Sequence, residues 1–146
     1  MPAFNHINSY LRFCIHGVQD HRISGKVLSQ RLTHPLEFND LGNLLLVLED
    51  IFDYQGFPKA FQSTRTFMDS SSDLSMAAED PSQGISPAVI RASRGKVATF
   101  DVLVVSRRSS SWQGSVDWLD GGERQEFVSL LELVHMIDER LSNDSI

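Results

Sequence analysis

One cysteine, Cys14, is all the thiol chemistry the chain carries. No internal disulfide framework exists, so the fold must be held by its core, as in a reducing compartment. A basic excess is missing too: 13 Lys and Arg stand against 19 Asp and Glu, a formal net charge of -6. That balance argues against a general nucleic-acid binder, which needs a positive field, but leaves room for a local basic patch. Long apolar runs are absent. The longest, Leu44 to Leu48, falls far short of a membrane span, and the first ten residues lack the basic-then-apolar pattern of a secretory signal. A cytoplasmic protein with no membrane partner is expected. What remains is ordinary: 146 residues, 41% hydrophobic and 22% charged, suit one globular domain, 1–146, with a single core.

Catalytic signatures are missing as well. His6, His16, His21, His34 and His135 are scattered, with no spacing that suggests a metal site. Glycine-rich phosphate loops, GxSxG elbows and HExxH helices do not occur. Cys14 lies in an alternating stretch with no base beside it, which favours a packed thiol over a nucleophile. His135 and Asp138 are three apart on a helix, closer to a surface hydrogen bond than to an acid–base pair. Glu49, Asp50 and Asp53 form an acidic helix end without the loop that calcium binding requires. No cofactor is implied, and an enzyme ranks third among the readings, behind a binding module and an anion-handling protein.

The clearest pattern present is Thr99 to Leu119, a strand, a polar basic turn and a returning strand. Within Lys96 to Val105, Phe100, Val102 and Val104 share one face while Leu103 and Val105 make the other apolar, as for a central strand. Earlier, Leu11, Phe13 and Ile15 alternate with Arg12, Cys14 and His16, which predicts a strand over Tyr10–His16. A second, weaker strand is expected from Ile23 to Leu32, ending before Pro35. Leu41, Leu44, Leu45, Leu48, Ile51 and Phe52 recur at helical spacing, with Asp40 as N-cap and Gly56 and Pro58 as the stop. Phe61 to Met68 reads as a third strand. Residues 69–95, rich in Ser, Gly and Pro, read as a flexible linker, with one helical turn opened by Ser86-Pro87. Ser129 to Glu132 fits a capping box ahead of a final helix with Leu130, Leu133, Val134, Ile137 and Leu141 on its apolar stripe.

The two halves align without gaps. Gly25 and Gly114, Phe38 and Phe127, and Leu41 and Leu130 are each 89 residues apart. The same shift matches the strand apolar positions, the helix stripes and the capping positions Asp40 and Ser129. Hydrophobic period alone does not produce one offset through all of these, so a structural repeat is expected. The predicted fold is α+β: two ββα repeats, at about 10–54 and 96–142, forming one antiparallel sheet of about five strands with both helices on one face.

Where the repeats differ, function is sought. The second hairpin's turn holds Arg107, Arg108, Ser111, Trp112 and Gln113. Two guanidiniums, hydroxyls and an indole suit a phosphate, a carboxylate or a stacked base. The competing reading is a solvated turn with Trp112 packed down as an anchor, its N–H on a carbonyl. At these positions the chain resembles a group of small bacterial proteins of no assigned function. They share an Arg-x-x-x-Ser-Trp-Gln-Gly hairpin, matched by Arg107 with Ser111, Trp112, Gln113 and Gly114. A Phe-x-Ser-x-Leu-Glu-Leu helix start follows, matched roughly by Phe127, Ser129, Leu131, Glu132 and Leu133. The resemblance covers about the last third of the chain. It implies a bacterial, intracellular setting and no activity. The function expected is a non-catalytic binding or regulatory module with a protein partner. The alternative is binding of a small anion or single-stranded nucleic acid through the Arg107–Gln113 turn.

Overall fold

The computed structural model describes residues 4–20, 22–58, 74–108 and 111–144. The alternation that begins at Leu11 produces β1 (Leu11–Gln19), which pairs antiparallel with β2 (Arg22–Leu28) across a tip where Asp20 takes a left-handed conformation, φ 53°. A short β3 (Leu36–Phe38) follows, then α1 (Leu41–Gln55). The second half has the same order: β4 (Ala98–Ser106), β5 (Gln113–Trp118), β6 (Gln125–Phe127) and α3 (Leu130–Asp144), with a short α2 (Pro87–Ala92) between the halves. All six strands form one antiparallel sheet in the order β3-β2-β1-β4-β5-β6. Among the described residues no helix is long and apolar enough to cross a membrane.

Among the described residues the sheet has six strands, where about five were expected. β3 and β6, the two not anticipated, are three residues each, too short for period-two alternation to register. Their partners fix them: Gly25 faces Phe38 and Gly114 faces Phe127. The strand expected over 61–68 lies outside the described residues. β2 stops at Leu28 rather than Leu32; beyond it the Ser29 hydroxyl holds the turn, donating to the Tyr10 carbonyl at 2.8 Å and accepting from the Arg31 amide at 3.1 Å. The stretch expected as a mobile linker is, from residue 74 on, built into the body. The amides of Thr33, Ala78 and Ile85 donate to the carbonyls of Met76, Arg31 and Leu32 at 2.9 Å, and Ala77, Ala78, Ile85 and Ile90 are buried. Composition counts apolar side chains and so overlooks a segment held largely by backbone hydrogen bonds.

Local chemistry sets the helix ends. The Asp40 carboxylate accepts from the amides of Gly42 (3.0 Å) and Asn43 (3.4 Å), and Gly56 closes α1 at φ 70°. Ser129 accepts from the Glu132 amide at 3.1 Å, while the Glu132 carboxylate reaches back to the Val128 amide at 2.8 Å. The stripes of α1 (Leu44, Leu45, Leu48, Ile51, Phe52) and α3 (Leu133, Ile137, Leu141) join one core with Phe13, Phe100, Val102 and Val116.

The ladders of the two halves share one register. Cys14 pairs with Lys26, and adding 89 to both numbers gives Leu103 and Ser115, which also pair. Each hairpin carries a bulge that skips one residue, His16 between Ile15 and Gly17, and Val105 between Val104 and Ser106. Both α1 and α3 start and end 89 residues apart. Where the halves meet, β1 and β4 pair so that Arg12 faces Asp101, its own counterpart at that shift. These two side chains form a salt bridge, Nε to Oδ1 at 2.6 Å and Nη2 to Oδ2 at 3.2 Å. Arg12 is buried on the face opposite Phe13, and its Nη1 donates to carbonyls of Ile90, Arg91 and Ser93 at the end of α2. Burial lowers the Arg12 pKa, but the hydrogen bond and charge of Asp101 outweigh it and the net shift is upward.

Two sets of substitutions check this frame. A Cβ on Gly25 would lie 2.1 Å from the Cys14 carbonyl oxygen, and one on Gly114 would lie 1.9 Å from that of Leu103. Gly25→Ala and Gly114→Ala should therefore each destabilise by about 1–3 kcal/mol in denaturant titrations, and a neutral result in either would place that strand in another register. Asp101→Ala should lower stability by about 3 kcal/mol by stranding a buried guanidinium, whereas Arg12→Met with Asp101→Leu should recover most of that loss. A double variant no better than the single one would show that the pair is needed beyond its charge balance.

Candidate functional site

The two hairpins have equally long chains but different tips. In the first, pairing continues past the bulge through Val18–Ile23 to Gln19–Arg22. In the second it stops at Ser106–Gln113, and the next residues on each side, Arg107 and Trp112, leave the ladder. Both turn inward. Trp112 is 1% exposed and Arg107 3% exposed. The indole lies against Phe52 with ring centroids 5.0 Å apart, and its N–H donates to the Glu49 carboxylate at 2.5 Å. The Arg107 guanidinium donates to Glu49 at 3.0 Å, to Asp53 at 2.7 Å and, through Nε, to the Pro58 carbonyl at 2.7 Å. Glu49 and Asp53 are one turn apart on α1, so one guanidinium bridges both carboxylates.

The other residues of the turn are also engaged inside the chain. The Ser111 hydroxyl accepts from the Leu130 amide at 2.7 Å, capping the first turn of α3. The Gln113 side chain accepts from Ser106 Oγ (2.7 Å) and the Arg108 amide (2.9 Å), and donates to the Arg108 carbonyl (3.1 Å) and the Val128 carbonyl (3.4 Å). Arg108 is the one exposed member of the five, and its backbone is held at both ends by Gln113. The turn is thus a strut between the second hairpin, α1 and the start of α3. Its acidic partners had a sequence signal, an i and i+4 pair of carboxylates on an amphipathic helix, but nothing in sequence joins that pair to an arginine 54 residues away.

A second buried guanidinium adjoins this strut. Arg31 is 1% exposed, stacked 4.1 Å from the Phe52 ring centroid, with Nε donating to Gln55 Oε1 at 2.8 Å and Nη2 bonded to the Phe57 carbonyl. Burial and then the charge of Arg107 push its pKa down to about 9, still high enough to keep it protonated at pH 7. Cys14 is buried, and burial raises its thiol pKa against the opposing charge of Arg12, away from the range of a reactive thiolate. Among the described residues no group of three or more His, Cys, Asp or Glu gathers as a metal site.

Open space lies on the opposite side of the helix pair. A cleft of about 490 Å³ is walled by Asp20, Arg22 and Ile23 of the first hairpin, by Asp40, Leu41 and Gly42 at the start of α1, and by Leu131, Val134, His135 and Asp138 of α3. His135 and Asp138 share the cleft without a hydrogen bond between them. Leu131, in the first turn of α3, is 79% exposed at its rim. Hollows along the first hairpin, lined by Gly17, Gln19, Ser24 and Asn39 or by Lys26 and Glu37, are more polar.

The strut predicts how the turn responds to substitution. Trp112→Ala should cost about 3–5 kcal/mol of folding free energy. Arg107→Ala should cost about 3 kcal/mol, the lower end for a broken buried pair, since the two carboxylates are each 31% exposed and regain water. Unchanged denaturant midpoints in both variants would free this turn for a ligand. Comparison with known proteins adds nothing to this geometry: no family model, no curated protein and no solved structure matches the chain.

Proposed function

We propose that the protein is a non-catalytic binding or regulatory module, built from a duplicated β-β-β-α unit, that docks a segment of a partner protein in the cleft between the first hairpin and the two long helices. Duplication is supported by the shared register, bulge and glycine positions at one shift. Docking rests on one observation: Leu131 stands 79% exposed over a cleft whose walls come from three separate elements, with Leu41 and Val134 half-buried inside it. A large apolar side chain rimming a concave surface is the usual form of a protein-recognition patch. The single cysteine, reduced and buried, suits the cytoplasm as its setting. Anion or nucleic-acid binding at Arg107–Gln113 has less support, because Arg107 already faces two carboxylates and Trp112 has no exposed ring to stack on.

The reading is tested by selecting peptides from a random library on the intact protein. Selected peptides should lose roughly tenfold or more in affinity for Leu131→Asp, the weight of one buried leucine contact, while the thermal midpoint of that variant stays unchanged. Peptides that bind Leu131→Asp as tightly as the parent would remove the cleft from consideration.

A further inference from the structure

We infer that this cleft receives a tryptophan side chain carried by a basic segment of the partner; the inference rests on the docking reading above and names what the cleft recognises. Its ground is an occupied seat for the same group elsewhere in the chain. At the shift of 89 residues, Leu45 and Glu49 of α1 correspond to Val134 and Asp138 of α3, and Trp112 corresponds to Ile23. On the α1 side the seat is filled, the Trp112 indole packed on the helix with its N–H on Glu49. On the α3 side the hairpin offers Ile23, which stays in the ladder opposite Val18 and whose buried side chain has no N–H to donate. The cleft remains there, and Asp138 lines it with no hydrogen-bond or ion-pair partner among the described residues. An indole from outside would find apolar walls in Leu41, Leu131 and Val134 and a carboxylate acceptor in Asp138, where Trp112 has the Phe52 ring and the Glu49 carboxylate.

Charge selects the flanks of that indole. Three carboxylates, Asp20, Asp40 and Asp138, line the cleft against one guanidinium, Arg22, a net of two negative charges in a protein of net charge -6. Lysine or arginine beside the tryptophan is attracted, and an acidic segment is repelled.

Titration of ¹⁵N-labelled protein with the capped tripeptide Lys-Trp-Lys should move the amide resonances of Leu41, Leu131 and Asp138. The Lys-Phe-Lys counterpart keeps a ring and the charges but lacks the N–H, and should bind about tenfold more weakly, as for one hydrogen bond to a charged acceptor. Asp138→Ala should weaken the tryptophan peptide by a similar factor and leave the phenylalanine peptide unaffected, with an unchanged thermal midpoint. Equal binding of both peptides in the cleft, or no shift with the tryptophan peptide while library peptides still bind there, overturns the indole inference and leaves docking intact. Shifts confined to other surfaces overturn both. Cleft resonances that move with protein concentration alone, as a second copy in the cleft would cause, also overturn both.

Discussion

Arg12 and Asp101 meet at the middle of the sheet, and the relation between the halves turns on that contact. The pair is bidentate, and the Arg12 side chain is only 6% exposed. Taking both charges out of water is unfavourable, so the pair gains little net stability over apolar residues of similar size. Its effect is on register. A slip of one residue between β1 and β4 would set Arg12 against Phe100 or Val102 and turn every apolar side chain of one half away from the core. On the other face of the same strands Phe13 and Phe100 stack at 5.1 Å and an interplanar angle of 15°. Apolar contact on one face and a charge pair on the other thus select the same alignment. The carbonyls at the end of α2 take the remaining donors of Arg12, which ties the connecting segment to this junction.

From that junction outward the halves keep one geometry until the hairpin tips. There the difference is chemical. Val18 and Ile23 are content in a ladder, one paired with the other, while Arg107 and Trp112 reach α1 carboxylates only by leaving it. The exit brings a second cation near Arg31, and α1 answers with Glu49 and Asp53. Four charged groups and an indole therefore secure one end of the helix pair, where the other end has Ile23 and a cleft. The asymmetry of the two hairpin tips follows from two residue positions on each.

Much of this frame was legible in the sequence. Alternation at Leu11, Phe13 and Ile15, the stripes from Leu41 and Leu130, the caps at Asp40 and Ser129 and the shift of 89 all depend on local periodicity or short-range capping, which a single chain displays directly. β3 and β6 were not legible, since three residues carry no period and their pairing is decided by β2 and β5. Nor was the packing of residues 74–95, which relies on backbone hydrogen bonds to 31–33. The Arg107–Gln113 turn was found as a feature, and its chemistry was open, because an arginine followed by serines and a tryptophan reads the same whether it faces solvent or a helix. Only the fold brings Glu49 and Asp53 to it. The cleft had no sequence signature, being assembled from a hairpin tip and two helices distant along the chain.

At matched positions the two hairpins meet the helices differently. Trp112 donates to Glu49 of α1, whereas Ile23, 89 residues before it, lines the cleft with Asp138 of α3. The rigid end supplies the frame against which the open end is held, and Leu131 and Val134 sit on the same helix whose first turn Ser111 caps from the strut side. The orientation of the cleft's α3 wall is therefore set by the turn that the sequence marks most strongly.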